Sequence, residues 1–353
     1  MKPEASLRTK LLETIEAQQL GCELQGSTLY ASLLDAMAGD VAKGGPVARL
    51  LASHMKRPFG DAVLLRVLGG LHLLVLEGRA PALARHYPSV GGSPAASLSA
   101  DLVDTVEHHG TALEAALAHP VQTNEVGRST ALISGYLYLA GATGLPLRLR
   151  EIGASAGLNL LADRFRYEDT RSGSSLGPAH SPLRFVDPWF AKTPDLEATL
   201  RIEDRRGSDL APIDVATRAG CQRLRSFVWA DQADRLDRLD AALEVAQADP
   251  PTVDAASAPD WLATELAAPA PGSCTVVTHS IMFQYLNPLD RQRTTTVIED
   301  AGRKATKQAP LAWLRLEPGG DQAELRLTLW PSGKTRVLAR SSYHGPPVVW
   351  LAG

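Results

Sequence analysis

Cysteine is scarce in this chain. Only Cys22, Cys221 and Cys274 occur among 353 residues. They stand far apart, no two at metal-ligand spacing. An odd, sparse count fits a reducing cytoplasm better than a disulfide framework. No apolar run approaches the ~20 residues that a membrane helix needs. The first residues, Met1 to Ser6, lack the apolar core of a signal peptide, so a cytoplasmic protein is expected. Positive charge is not in excess: 36 Lys and Arg against 39 Asp and Glu leave a net charge of −3. No global basic field points to nucleic acid, and a small-molecule partner is the expectation. Gly-x-Gly-x-x-Gly is missing, which weighs against a NAD-binding fold. His54, His72, His86, His108, His109 and His119 match no compact metal motif, so no metal is expected.

What is present is a soluble globular composition, 44% hydrophobic, in a chain long enough for two domains or one with an appendage. Residues 1–120 read as a helical domain. Leu11, Leu12 and Ile15, then Leu29, Leu33, Leu34 and Met37, fall on helical spacing. Asp61 is placed as the cap of a helix carrying Val63 to Val75, and Ser99 as the cap of a helix over 101–119 that Pro120 stops.

The chain is organised around residues 147–160. Leu147, Leu149 and Ile152 read as a buried strand, Gly153 and Gly157 punctuate a tight turn, and Leu158 and Asn159 start an amphipathic helix. Glycines let backbone approach a ligand, and a helix N-terminus offers N–H groups. Glu151, at the strand end, is placed to hydrogen-bond polar ligand groups. The same residues spell Gly-x-Ser-x-Gly, the nucleophile elbow of α/β-hydrolases with Ser155 as nucleophile. They also read as a plain strand–helix turn. Upstream, a polar run with Gln122, Thr123, Asn124, Glu125 and Arg128 precedes an apolar helix, and Asn124 and Arg128 share a face if that helix begins early. Arg128 is either an ion-paired cap or a partner for a ligand carboxylate.

Downstream, residues 168–200 are rich in Gly, Ser and Pro and read as an inserted loop or hairpin, a lid or junction packing. A short strand then runs into Asp209, which suits two hydroxyl hydrogen bonds or caps the next helix. From Gly157 to Asp209 is about fifty residues, against the usual ~20 in nucleotide-binding folds, so a hydroxyl-binding role for Asp209 requires 168–200 to be an insertion. Residues 221–248 read as a charged helical stretch. Asp254 ends another short strand. The run from Cys274 to Ser280 reads as a buried parallel strand, with His279 at the edge where open α/β sheets bind ligands. His279 is the general-base candidate, with Tyr285 and Gln284 as positioning candidates. A helix over 290–302, a strand over 311–317 and a hairpin around residues 331–334 finish the chain.

Glu151-x-Gly153-x-Ser155-x-Gly157 resembles the first motif of class I S-adenosylmethionine-dependent methyltransferases, with Ser155 where a third glycine is usual. That resemblance implies a Rossmann-like, seven-stranded, mostly parallel sheet closed by an antiparallel hairpin, over residues 121–353. It implies that Glu151, Gly153, Ser155, Gly157 and Asn159 hold the methionine part of S-adenosylmethionine, Arg128 its carboxylate, Asp209 the ribose and Asp254 the adenine edge. Residues 122–128, 151–159, 206–212 and 278–280 also resemble an uncharacterised bacterial family, which implies the same fold and no activity. The expected protein is a methyltransferase for a small molecule. The alternatives are a serine hydrolase using Ser155 with His279 or His344, and an inactive ligand-binding scaffold. The sheet order favours the first. The residues before Leu147 look helical and contain no His-Gly-Gly oxyanion loop.

Overall fold

The computed structural model describes residues 2–52, 54 and 62–352. Asp61, the expected cap, lies outside the described residues. The chain divides into two compact units, Met1–Thr123 with Arg218–Asp237, and Asn124–Thr217 with Arg238–Gly353.

The first unit is helical, with helices Lys2–Leu24, Thr28–Lys43, Pro46–Ala52, Val63–Leu76, Pro81–Ala84, Leu98–His108 and Gly110–Leu117. Arg218–Ser226 joins them from the second half of the chain. Leu33, Leu34, Met37, Leu51, Leu68 and Leu71 lie in its core. The helix expected over 101–119 is two, broken at His109 just before Gly110, a poor helix former. The stretch 221–248 is likewise interrupted, because residues 227–232 are held by tertiary contacts instead. The Phe227 ring lies 2.7 Å from where a Cβ on Gly69 would stand. Trp229 stacks on Tyr30 at 5.5 Å. Asp231 accepts the Ser27 hydroxyl at 2.7 Å and the Leu29 amide at 2.9 Å.

His72 is fully buried in this unit, beside the Ser226 carbonyl and the Ser89 hydroxyl. Burial pushes its imidazole from 6.5 down to about 4. The unfolded chain takes up a proton near 6.5 and the folded chain does not. Stability therefore falls as pH drops from 6.5 to 4, by about 1.4 kcal/mol per pH unit. His72→Gln is expected to flatten that part of a stability profile measured by denaturant titration. An unchanged slope would contradict the buried neutral ring.

The second unit is built on a sheet. Its strands, with those of a smaller sheet, are β1 (Leu147–Ile152), β2 (Arg166–Asp169), β3 (Ser174–Leu176), β4 (Arg184–Val186), β5 (Ile202–Asp209), β6 (Val253–Ala255), β7 (Cys274–Ser280), β8 (Leu311–Pro318), β9 (Ala323–Trp330), β10 (Lys334–Ser342) and β11 (Gly345–Trp350). The main sheet has eight strands in the order β11-β10-β9-β8-β7-β1-β5-β6. β6, β5, β1, β7 and β8 run parallel, and β9, β10 and β11 continue as an antiparallel meander. The sheet is thus mixed α/β, mostly parallel on one side and antiparallel at its end, with one strand more than expected because residues 345–350 pair with β10. β7 is buried along its whole length, as its unbroken apolar run requires.

Numbered by sequence, the parallel strands read 3-2-1-4-5. The order reverses between β1 and β7, and the crevice beyond the carboxyl ends of these strands is where such sheets place ligands. The segment 168–200, read as a loop or hairpin, contains a hairpin, β2 paired antiparallel with β3. It forms a second sheet in the order β3-β2-β4. Tyr167 stacks on Phe185 at 5.4 Å, and the Trp189 indole donates to Ser134 Oγ at 2.9 Å on the helix Ser129–Thr143. Its aromatics are what pack it.

Candidate functional site

At the carboxyl end of β1 the backbone turns through three left-handed positions: Gly153 (φ +64°), Ser155 (φ +54°) and Gly157 (φ +75°). Two are glycine, which alone takes this region freely. Ser155 is held there by its amide, which donates to Asp209 Oδ2 at 2.9 Å. The neighbouring amides are also engaged inside the protein. Ala154 donates to the Ser208 carbonyl at 3.0 Å and Gly157 to the Ala154 carbonyl at 2.7 Å. Leu158 donates to Asn124 Oδ1 at 2.9 Å. The turn leads into a 3-10 helix, Leu158–Arg164, not an amphipathic α-helix. The expectation of open N–H groups at a helix start is corrected: Asn124 caps the first of them. Asn124 and Arg128 share no helix face either, since the long helix begins at Ser129.

Binding capacity at this edge resides in side chains. Glu151, Asn159, Ser155 and Ser208 are all at least nine-tenths buried. Among the described residues, Glu151 Oε2, Asn159 Oδ1, Ser155 Oγ and Ser208 Oγ have no hydrogen-bond partner. Asn159 Nδ2 donates to the Glu125 carbonyl at 3.4 Å, which turns its oxygen away from that contact. Burial pushes the Glu151 carboxyl up to about 8; the Asp209 charge adds to this, and the Arg128 charge opposes it. Arg128 is buried, donating through Nε to the Tyr343 carbonyl at 2.9 Å and through Nη1 to the Ser280 carbonyl, the last residue of β7, at 3.3 Å. Asp209 is half-buried and accepts the amides of Ser155 and Ala211.

The remaining candidates Asp254 and His279 are held by other partners. Asp254 accepts two bonds from Arg206 Nη2 and one from the Trp261 indole. His279 is fully buried. Its Nε2 accepts the Trp313 indole N–H at 3.0 Å, so the proton sits on Nδ1, which donates to Glu317 Oε1 at 2.6 Å. Both ring nitrogens are thereby engaged, which corrects its reading as the general base: in this geometry His279 holds the strand exit in place. Tyr285 lies on the short turn beyond β7 and is 71% exposed. Ser155 Oγ contacts no histidine, and His344 Nδ1 lies 3.4 Å from Glu125 Oε2, so no hydrolase pair is assembled.

Sequence reasoning missed Ser208, Met282, Trp313 and Glu317. Glu317 was findable, because it is an acid at the carboxyl end of a parallel strand, the rule that singled out Asp209. Burial alone would raise its carboxyl. His279 and the Met282 and Phe283 amides outweigh that and hold it below its ordinary value. Among the described residues no group of three or more His, Cys, Asp or Glu is placed to hold a metal, and no helix is long and apolar enough to cross a membrane.

A family described as "Uncharacterized protein conserved in bacteria (DUF2332)" matches residues 13–350. Neither a curated protein nor a solved structure matches the chain.

Proposed function

We propose, for a chain that belongs to this bacterial family, that the sheet unit binds S-adenosylmethionine beyond the carboxyl ends of β1 and β5 and serves as a methyltransferase for a small molecule. The observation that carries this reading is the set of buried, unpartnered oxygens on Glu151, Ser155, Asn159 and Ser208 at the strand-order reversal. Unpaired buried polar atoms cost about 1–3 kcal/mol each. Asn159 Oδ1 accepts only, and Glu151 does so once it ionises against a cationic ligand. They suit a ligand rich in N–H and O–H donors, such as an ammonium group with ribose hydroxyls. Glu151 and Asn159 would accept from the ammonium, with Arg128 supplying positive charge toward the carboxylate. Asp209, as a carboxylate at the end of the neighbouring strand, would take the ribose hydroxyls. The cofactor supplies an electrophilic methyl group, and the chain's part is to orient it and exclude water.

Calorimetric titration with S-adenosylmethionine and S-adenosylhomocysteine tests the reading. Micromolar binding is expected, weakened about tenfold or more in Asp209→Ala, the loss of a hydrogen bond to a charged group. No binding of either compound would overturn it. A binding-only scaffold is the second reading, favoured by the engagement of both His279 nitrogens. Binding without turnover on any acceptor would establish it.

A further inference from the structure

β7 leaves the sheet through Ile281, whose φ is +50°. A β-branched residue is strained there, by about 1–3 kcal/mol. Such a conformation persists only where its surroundings impose it, and here they do. Glu317 Oε1 accepts the Met282 amide at 3.1 Å and the Phe283 amide at 3.2 Å, together with the His279 Nδ1 proton. Phe283 in turn stacks on the His279 ring at 5.0 Å. The bend sends the Met282 side chain back over the end of β1. A Cβ on Gly153 would stand 2.8 Å from Met282 Cε, 2.9 Å from Cγ and 3.0 Å from its Cβ. The thioether therefore lies on the first glycine of the turn, at the reversal point between β1 and β7.

The geometry points to Met282 as a built-in plug of the ligand site. Its backbone is clamped by Glu317, while its side chain, part-buried at the margin of the cluster of Ile152, Trp261 and Trp313, has three rotatable bonds and no hydrogen bond to break when it swings aside. A ligand whose backbone contact is Gly153 displaces it. The His279–Trp313–Glu317 set is then the anchor from which the plug hangs, which gives those buried polar groups a purpose that a proton-transfer role does not. This inference rests on the cofactor-site reading above.

The test is titration of S-adenosylhomocysteine into the wild-type chain, Met282→Ala and Met282→Leu, with thermal melting as the check on folding. Met282→Ala is expected to bind three- to tenfold more tightly, with faster association, and Met282→Leu to stay near wild type because its bulk is similar. Equal or weaker binding by Met282→Ala, with the wild type binding, would overturn the plug and leave the site intact. Failure of all three to bind would overturn the cofactor reading itself, and the plug with it.

Discussion

Glu151→Gln is expected to make the protein more stable and a poorer binder. The Glu151 carboxyl is 2% exposed, and its Oε2 has no partner. Burial lifts its pKa from 4.5 to about 8. Between those values the folded chain keeps a proton that the unfolded chain has released. Stability consequently falls as pH rises through this window and levels off above it. At about 1.4 kcal/mol per pH unit, the native carboxyl costs about 3 kcal/mol at pH 7 and about 5 kcal/mol above pH 8. Glutamine keeps the size and loses the titration. Its gain should be near zero at pH 4.5 and grow toward pH 8, read as a denaturation midpoint that separates steadily from wild type. A site kept at such expense to stability is usually a working one, so binding of S-adenosylhomocysteine should fall at least tenfold. A variant less stable than wild type, or a difference that does not grow with pH, would refute the buried-carboxyl account.

Glu265→Ala is expected to be the most damaging change away from that site. On β1, Arg148 and Arg150 share one face, beside Asp204 and Arg206 on β5. The Arg150 side chain is 2% exposed and donates through Nε to Glu265 Oε2 and through Nη2 to Asp204 Oδ2, both at 2.5 Å. Arg148 Nη2 reaches the same Glu265 oxygen at 3.1 Å. Glu265, at the end of the helix Ala258–Glu265, is thus shared by three cations, since Arg206 Nη1 also lies 3.6 Å from its Oε1. Removing it leaves Arg150 Nε buried without its acceptor and Asp204 to balance both Arg148 and Arg150, which costs about 1–3 kcal/mol. The exposed pair Arg49–Glu107, with 61% and 54% of its side chains in solvent, provides the contrast. Glu107→Ala should change stability by less than about 1 kcal/mol. Urea denaturation of both variants separates the cases, and similar losses would mean that burial does not set the strength of the pair.

The Leu-Arg-Leu-Arg alternation of β1 was legible as a strand, and its apolar positions Leu147 and Leu149 are buried. Its arginine face was a signal left unread: two cations on a central strand demand acids from the neighbouring elements. The segment 168–200 was harder. Its Gly, Ser and Pro content reads as loop or hairpin; the β2–β3 hairpin is there, and Tyr167, Phe185 and Trp189, packing on one another and on Ser134, complete a sheet that composition does not show. The turn at 153–157 was recognised from its glycines. That its amides are used up by Asp209, Ser208 and Asn124 was not visible, because those partners come from β5 and from the run before the long helix.

By itself the sequence determined what depends on neighbours along the chain. Helical spacing places helices ahead of the first strand. Short strands running into Glu151, Asp209, Asp254 and His279 have their carboxyl ends at one edge of a mixed sheet. Absences set the composition class. Tertiary structure alone decided which polar groups are satisfied and which are left open. His279 finds Trp313 and Glu317 across 34 and 38 residues, and Arg150 finds Glu265 across 115. A hydrogen bond is made or lost within a few tenths of an ångström, and periodicity along a strand carries no information at that scale about a partner on another strand. That is why the acids of the edge were readable from the sequence, while the engaged histidine, the open Glu151 oxygen and the methionine lying on Gly153 were not.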